Sequence, residues 1–384
     1  MTTSPDPVKN PRAEIPRLEI GDPVPDMGWA DVHGARVALG QSDHAGRTTV
    51  IYVCASPRAP AAERELAALR DLQAKFQALD AAVFVVTPDA PAENFALAAR
   101  HDLPFLVLSD RGFVAGQAFG LAAPGDDPGN ALPGDSMIVV DRNQRIAALV
   151  EPGAEATRAH AALAVSRGQA IEGPPRVVTM HAPVLIVPGV LSQAHCAHLI
   201  EHWETGQRYQ GGVASGEYGR NVPLNRIKVR EDVILPDLGP EAQALFAVFR
   251  RRLFPEIRKA YNFRVTRAET LRLGCYAADE GGHFRRHRDD VTPYTAHRRF
   301  AMSLNLNTGA YEGGYLRFPE YGHDFHSVGP GGAVVFSCSL LHEATKVTAG
   351  QRYVLLGFFY GETEQALRDR LAAQRRAATG PETP

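Results

Sequence analysis

The chain has 384 residues, of which 45% are hydrophobic, and this length and composition favour a globular protein of two or three domains. A formal charge of −2 excludes a general attraction to nucleic acid or to an anionic membrane, and no apolar run approaches the length of a membrane span. The four cysteines stand far apart without a C-x-x-C pair, which excludes a zinc finger and fits a reducing cytoplasm.

Strand and helix patterns alternate through the first half of the chain. Residues 1–15 are polar and proline-rich, which predicts a disordered tail without a secretory signal. Beyond them, β-branched and apolar runs predict buried strands, and apolar residues three or four apart predict helices. The predicted elements are strands at 48–53, 82–86 and 105–108, a hairpin at 137–150, and helices at 61–79, 93–100 and 155–166. This alternation predicts an α/β domain over residues 16–168.

Three motifs give this domain a family resemblance. Residues 21–26 have the sequence GDPVPD, Asp31 to Leu39 follow with a D-x-x-G pattern, and the hairpin closes the domain. The domain resembles a peroxiredoxin of the thioredoxin-like fold.

The peroxidatic motif P-x-x-x-T-x-x-C, however, is missing, because residues 56–63 have the sequence SPRAPAAE. A peroxidase needs a thiolate at a helix N-terminus. We therefore predict a degenerate module in which Cys54 is a small buried side chain. Docking, substrate presentation and a homodimer through this domain stay open.

The pattern changes in the second half. Glycines and prolines predict a linker at 169–182. Turn-separated strands from Glu269 onward predict a double-stranded β-helix (jelly-roll) domain over 183–362, followed by a short charged helix and a tail at 363–384. The earlier part predicts a strand at 184–187, a helix at 192–203 capped by Ser192, a substrate loop or plain surface loop at 206–225, and a helix at 245–261 with a solvated arginine run at 250–252.

Two histidines and one aspartate have the spacing of a metal site. His287 and Asp289 are two residues apart, so in a strand both side chains point to the same side. A second imidazole from an opposing strand, that of His342, would complete a face of two histidines and one carboxylate. This is the ligand set of non-haem Fe(II) oxygenases, with open positions for co-substrate and O₂. A zinc hydrolase uses a similar trio.

Five motifs in a fixed order resemble the signature of prolyl 4-hydroxylase-like 2-oxoglutarate/Fe(II) dioxygenases over about residues 183–362. The motifs are Tyr276 to Asp289 (Y-x-x-G-x-x-F-x-x-H-x-D in the family), Ser303 to Asn307, Gly313 to Pro319 (G-G-x-L-x-F-P), Gly331 to Phe336 leading to His342, and Gly350 to Arg352. The resemblance implies that His287, Asp289 and His342 bind Fe(II). It also implies that Arg352 holds the distal carboxylate of 2-oxoglutarate, with Tyr276 and Asn305 beside it.

The resemblance implies a cytoplasmic dioxygenase that hydroxylates a C–H bond of a small-molecule or peptidyl substrate, prolyl included, and releases succinate and CO₂. Ascorbate enters as a reductant, and neither nucleic acid nor membrane is expected as a partner. Arg285 and Arg286 flank the metal motif and could steer an anionic substrate. Two alternatives stay open: a thiol-dependent peroxidase or redox protein, and a non-catalytic binding protein that uses the thioredoxin-like module.

Overall fold

A computed structural model of the protein describes residues 19–24, 28–40, 44–121, 135–150, 157–171, 173–175, 177–210, 213–214, 221–222 and 226–379. The chain divides into two compact units between Pro174 and Pro175. The predicted tail at 1–15 and much of the predicted loop at 206–225 lie outside the described residues. None of the described helices combines the length and the apolar composition that crossing a lipid bilayer requires.

The first unit is built on one seven-stranded sheet and four helices. Its elements are β1 Gly28–Ala30, β2 Arg36–Ala38, β3 Thr48–Val53, α1 Pro60–Ala78, β4 Ala81–Thr87, α2 Pro91–His101, β5 Leu106–Ser109, α3 Val114–Ala118, β6 Ser136–Val140, β7 Ile146–Val150 and α4 Arg158–Gly168. The strand order is β2-β1-β5-β4-β3-β6-β7, with parallel pairs at the centre and antiparallel pairs toward both edges. All strands and helices predicted for this half are confirmed, and β1, β2 and α3 are additional.

The central strands of this sheet are buried on both faces. Successive residues alternate between two hydrophobic layers, with Ile51 and Phe84 in one layer and Tyr52 and Val85 in the other. Helices α1 and α4 pack on the second layer. Burial on both faces is the reason why these strands are continuous apolar runs in the sequence.

The second unit has four helices, α5 Gln193–Thr205, α6 Pro240–Arg252, α7 Phe254–Tyr261 and α8 Glu362–Thr379. The Ser192 side chain accepts a hydrogen bond from the His195 amide at 3.2 Å, so the predicted cap of α5 is confirmed. The single helix predicted over 245–261 is wrong, because the chain forms α6 and α7 with an interruption at Leu253. Pro255 lies in the first turn of α7, and a proline cannot continue the preceding helix since it lacks an N–H and clashes with the carbonyl four residues earlier.

The predicted solvated face at 250–252 is also wrong at its last residue. Arg250 and Arg251 are exposed, whereas Arg252 is buried. The Arg252 guanidinium donates to the carbonyl oxygen of Val190 at 3.2 Å. The end of α6 is therefore anchored inside the second unit.

Two antiparallel sheets carry most of the strands of the second unit. These strands are β8 Leu185–Val187, β9 Tyr209–Gln210, β10 Val213–Ala214, β11 Asn221–Val222, β12 Lys228–Val229, β13 Glu231–Ile234, β14 Arg267–Ala268, β15 Arg272–Ala277, β16 His283–His287, β17 Phe300–Asn305, β18 Tyr311–Gly313, β19 Leu316–Arg317, β20 Phe325–His326, β21 Ala333–Ser337, β22 His342–Ala344 and β23 Val347–Tyr360. The smaller sheet has the order β12-β16-β22-β19-β20. The larger has the order β8-β21-β17-β23-β15-β13-β9, with β14 and β18 also pairing with β23.

The two faces of the larger sheet differ in chemistry. One face carries Leu273 and Leu355, which belong to the main core together with Phe249 of α6. Alternate positions on the opposite face carry polar side chains, and Tyr276 of β15 lies directly across from Arg352 of β23. This polar face positions the candidate site.

Candidate active site

A cavity of about 460 Å³ lies in the second unit. The larger sheet contributes side chains from β15, β17 and β23, and the smaller sheet contributes side chains from β12, β16 and β22. The lining residues include His287, Asp289, His342, Arg352 and Tyr276, so five of the six residues that the sequence singles out meet at one cavity.

His287, Asp289 and His342 converge at this cavity. His287 ends β16 and lies directly opposite His342, the first residue of the neighbouring strand β22. The Nε2 atom of His287 is 3.4 Å from Oδ1 of Asp289, and the Nε2 atom of His342 is 3.4 Å from Oδ2. The three candidate ligand atoms lie within 4.8 Å of one another, and no other cluster of three such groups occurs in the described residues. The arrangement suits one metal ion.

Backbone carbonyls fix the tautomer of both imidazoles. Nδ1 of His287 is 2.7 Å from the carbonyl oxygen of Arg285, and Nδ1 of His342 is 2.9 Å from that of Leu340. A carbonyl oxygen only accepts, so each Nδ1 carries the hydrogen and donates it. Each Nε2 keeps a lone pair directed toward Asp289. Metal-binding histidines are oriented by the same kind of contact.

The electrostatics of Asp289 and His342 favour the metal-binding states of these two residues. Burial raises the pKa of the Asp289 carboxyl, but the adjacent His342 and His287 imidazoles outweigh it and hold this pKa well below its usual range. Burial lowers the pKa of His342, against the opposing effect of Asp289. An ionised carboxylate and a neutral imidazole are the forms that bind a metal.

Aromatic side chains hold the two imidazoles in place. The Phe284 ring stacks on the His287 ring with centroids 3.5 Å apart. The Phe336 and Phe318 rings flank His342 at 4.6 Å and 6.2 Å. These contacts fix the imidazole rings and keep water from one side of the site.

Arg352 extends from β23 into the same cavity and is 2% exposed. Its Nη2 donates to Oγ of Ser303 and to Oδ1 of Asn305, both at 3.0 Å, and both acceptors are neutral. Its buried Nε has no hydrogen-bond partner, and no carboxylate of the described residues forms an ion pair with it. A buried guanidinium without a counter-ion is costly, so this position fits an anionic ligand.

Tyr276 and Gly314 shape the space around Arg352. The centre of the Tyr276 ring is 5.3 Å from Cζ of Arg352, and the Tyr276 hydroxyl accepts from Nη1 of Arg230 at 3.1 Å. The hydroxyl hydrogen is free to be donated to a second acceptor. Gly314 has a φ of +64°, and a Cβ there would lie 2.7 Å from Cδ of Arg352. Gly314 of the sequence motif thus leaves room for the Arg352 side chain.

Asn305 has a supporting position. Its Oδ1 accepts from Arg352, and its Nδ2 donates to the carbonyl oxygen of Val328 at 3.2 Å. Asn305 does not appear among the side chains that line the cavity, whereas Ser303 does. Ser303 begins the sequence motif, but it was not predicted to have a role. Ser303 and Asn305 are two residues apart and share the inward face of β17, and this spacing was the signal that could have identified Ser303.

Sequence reasoning also missed a group of cations around the cavity. Arg285 and Arg286, predicted to steer an anion, are exposed and do not line it. The cations that do line it and were missed are Lys228, Arg230, Arg272, Arg288, Arg298 and Arg368. Polar residues at 228, 230 and 232 alternate along the chain, which is a strand-period signal that predicts a shared face.

Models of two known families match segments in the two halves of the chain. The model of the 2OG-Fe(II) oxygenase superfamily matches residues 271–360, and that of the AhpC/TSA family matches residues 20–149. The chloroplastic peroxiredoxin Q of Sedum lineare is 30% identical over 141 residues, which are 35% of this chain and 73% of that protein. The chain belongs to the AhpC/TSA family through its first half, and its second half is similar to the 2OG-Fe(II) oxygenase superfamily over residues 271–360.

Other relatives of the AhpC/TSA domain match over shorter segments. Peroxiredoxin Bcp of Bacillus subtilis is 33% identical over 102 residues, which are 27% of this chain and 64% of that protein. The chloroplastic peroxiredoxin Q of Arabidopsis thaliana is 32% identical over 127 residues, which are 33% of this chain and 56% of that protein. The chain therefore spans 64% or less of the length of these two relatives.

Solved structures with similar folds include members of both classes. A prolyl hydroxylase from Trichoplax adhaerens in complex with a hypoxia inducible factor peptide fragment is 19% identical, with a TM-score of 0.39 and coverage of 48% of this chain and 86% of that chain. A prolyl-4-hydroxylase from Pseudomonas putida is 21% identical, with a TM-score of 0.36 and coverage of 47% and 94%. Peroxidoxin BcpB from Mycobacterium tuberculosis is 21% identical, with a TM-score of 0.34 and coverage of 40% and 98%.

The AhpC/TSA domain lacks the thiol that peroxiredoxin chemistry requires. Cys54 lies just after β3 in the hydrophobic layer under α1, and the prediction that it is buried is confirmed. Burial raises the pKa of the Cys54 thiol to about 12. All four cysteines are buried and free of disulfides. The second unit, by contrast, holds a set of three candidate ligands, and these donors fit an Fe(II) ion.

Proposed function

We propose that this protein is an Fe(II)- and 2-oxoglutarate-dependent dioxygenase that hydroxylates a substrate C–H bond with O₂ and releases succinate and CO₂. One observation carries the proposal: three ligand atoms within 4.8 Å of one another share a cavity with Arg352, a buried guanidinium without a counter-ion. We further infer that the two antiparallel sheets form a double-stranded β-helix around this cavity.

In this proposal, His287, Asp289 and His342 hold Fe(II) through two Nε2 atoms and one carboxylate. When bound, the iron supplies the oxidative chemistry that couples 2-oxoglutarate oxidation to substrate hydroxylation. The hydrogen bonds from Nδ1 to the backbone orient both imidazoles so that each Nε2 is aimed at the ion. The protein contributes the position of the ligands and a cavity with restricted access for water.

Arg352 binds the distal carboxylate of 2-oxoglutarate. A guanidinium offers a planar pair of donors that matches both carboxylate oxygens. Ser303 and Asn305 hold one end of the guanidinium, and the Tyr276 hydroxyl is positioned to donate to the same co-substrate. Ascorbate is proposed as the reductant that keeps the iron in its Fe(II) state.

The substrate class is proposed as peptidyl, prolyl residues included, or a small molecule. The test is anaerobic incubation of the protein with Fe(II), 2-oxoglutarate, ascorbate and a substrate library, followed by addition of O₂. We expect succinate formation that depends on one substrate, whose mass increases by one oxygen atom. Protein that binds Fe(II) and 2-oxoglutarate but forms no succinate with any candidate would favour a non-catalytic binding role instead.

A thiol-dependent peroxidase is the less favoured alternative. Its nucleophile would be Cys54, whose side chain is buried and whose pKa is raised to about 12. A thiol with such a pKa contains almost no thiolate at neutral pH. The iron site is therefore the better candidate for the chemistry of this chain.

A further inference from the structure

The cavity continues beyond the region around Arg352. Arg272, Gly274 and Tyr276 occupy alternate positions on the inward face of β15, and Arg272 lies across from Leu356 of β23. Arg272 and Tyr276 are four residues apart, which corresponds to about 13 Å along a strand. Arg272 therefore lines the same cavity at a level that a 2-oxoglutarate held by Arg352 does not reach.

On one side of Arg272, an ion pair is already complete. Arg230 donates to both carboxylate oxygens of Asp232, at 2.5 Å from Nε and 2.8 Å from Nη2, and Nζ of Lys228 is 3.8 Å from the same carboxylate. Gly274 makes space for this pair, because a Cβ there would lie 2.9 Å from Cδ of Arg230. Asp232 is therefore already shared by two cations.

On the other side, a second ion pair is also complete. Arg298 donates to both oxygens of Glu269 at 2.6 Å and 2.7 Å, and Nε2 of His297 is 3.0 Å from the same carboxylate. Arg298 also donates to the carbonyl oxygen of Asp289 at 3.2 Å. This second pair therefore adjoins the candidate metal site.

Arg272 lies near both pairs but belongs to neither. It is half-buried, and within the described part of the chain its side chain makes no hydrogen bond or ion pair. Burial, followed by the proximity of Arg230, lowers its pKa. Four cations, Lys228, Arg230, Arg272 and Arg298, thus face two carboxylates in this part of the cavity.

We propose that Arg272 binds a carboxylate group of the primary substrate, which makes the substrate of this enzyme a carboxylic acid. The guanidinium fork matches a planar carboxylate, and the neighbouring excess of positive charge strengthens the attraction. Arg272 lines the same cavity as the metal ligands, and Arg298, which lies near Arg272, donates to the backbone of Asp289. The inference rests on the proposed dioxygenase function.

The binding test uses two small probes that differ in charge, N-acetylglycine and N-acetylglycinamide. The protein is first saturated with Mn(II) and with N-oxalylglycine, an unreactive analogue of 2-oxoglutarate, so that the position at Arg352 is occupied. Calorimetric titration should then show binding of the acid and no comparable binding of the amide. Arg272→Gln should weaken acid binding by about ten- to a hundredfold, and Arg272→Lys, which keeps the charge but loses the fork, by less.

Arg250→Gln is the matched control, because Arg250 is an exposed arginine on α6 outside the cavity, and this variant should bind like the wild type. Three outcomes would each overturn the inference: equal affinity for acid and amide, absence of binding by both, or unchanged acid binding in folded Arg272→Gln and Arg272→Lys. Two further probes, glycine and a peptide with one internal glutamate, distinguish the two possible sources of the carboxylate. Tighter binding of glycine indicates a free amino acid, and tighter binding of the peptide indicates an acidic side chain.

A separate measurement distinguishes failure of this inference from failure of the proposed function. The visible charge-transfer band of anaerobic protein with Fe(II) and 2-oxoglutarate reports on co-substrate chelation. Absence of the band in the wild type would refute the proposed function itself. Presence of the band in both the wild type and Arg272→Gln, without discrimination between acid and amide, would refute only the role of Arg272.

Discussion

Arg352→Met should separate the stability of the protein from its affinity for 2-oxoglutarate. The Arg352 guanidinium is buried, contacts only the neutral acceptors Ser303 and Asn305, and has an Nε without a partner. Arg298 lies at the same cavity but is paired with both oxygens of Glu269. The same substitution at Arg298 is therefore a matched control in which a true ion pair is broken.

The magnitudes follow from these contacts. The two hydrogen bonds of Arg352 contribute about 1.5–3 kcal/mol each because the donor is charged, and removal of an uncompensated buried ion recovers several kcal/mol. The two effects nearly cancel, so we expect the free energy of unfolding of Arg352→Met to change by less than about 2 kcal/mol. Arg298→Met leaves the Glu269 carboxylate without its main partner and should cost about 3–5 kcal/mol.

The affinity for 2-oxoglutarate should respond in a different way. Loss of a buried charge-assisted pair weakens binding by about 2–5 kcal/mol, or about 30-fold to several thousandfold. Urea denaturation of the metal-free proteins at pH 7 measures the stability, and anaerobic titration of the Fe(II)-loaded proteins measures the affinity. If Arg352→Met destabilised the fold as much as Arg298→Met, or bound 2-oxoglutarate like the wild type, Arg352 would be a structural residue and the reasoning would be refuted.

Three further predictions concern single side chains. Asp289→Ala should abolish iron binding in equilibrium dialysis, and one retained equivalent of iron would contradict the ligand assignment. Burial and the adjacent Arg230 lower the pKa of Lys228 from 10.5 to about 7, so between these pH values the unfolded chain keeps a proton that the native protein has lost. The free energy of unfolding of the wild type should therefore rise from pH 7 to pH 10.5. In Lys228→Met, denaturation curves at several pH values should show this rise reduced by the contribution of Lys228, and a rise equal to that of the wild type would refute the prediction. Cys54→Ala should leave peroxide consumption unchanged, and any activity lost with this thiol would revive the peroxidase alternative.

The fold was predictable where the signal is local. Strand β3 has the predicted bounds, because a strand buried on both faces is a continuous apolar run whatever its neighbours are. The helix predicted over 245–261 failed for a related reason. Its hydrophobic period continues through the break, since Phe249 of α6 and Ile257 of α7 both face the same core. Periodicity alone therefore concealed the interruption that Pro255 imposes.

In the candidate site, too, some features follow from the local sequence and others depend on the three-dimensional structure. The sequence predicts His287 and Asp289 within one strand, whereas β16 ends at His287 and Asp289 lies just beyond it, although the two side chains still converge. The position of Arg352 follows from the order of the motifs. That the Arg272 side chain lacks a carboxylate partner could not be predicted in this way. Arg230 and Arg298 are also arginines on the cavity, and only the three-dimensional structure shows which of the three has a carboxylate partner.

The net charge of the chain conceals the charge of its cavity. The whole sequence carries a formal charge of −2, yet the part of the cavity around Arg272 presents four cations to two carboxylates. In the proposed reaction, 2-oxoglutarate is neutralised by Arg352 at its distal carboxylate and by the iron at its keto acid end, so it does not offset this excess. Burial and, after it, the positive charge of Arg230 lower the pKa values of Arg272 and Lys228. A bound anion would offset this positive charge, and since the co-substrate is already accounted for, this supports the proposal that the molecule that is oxidised carries a carboxylate.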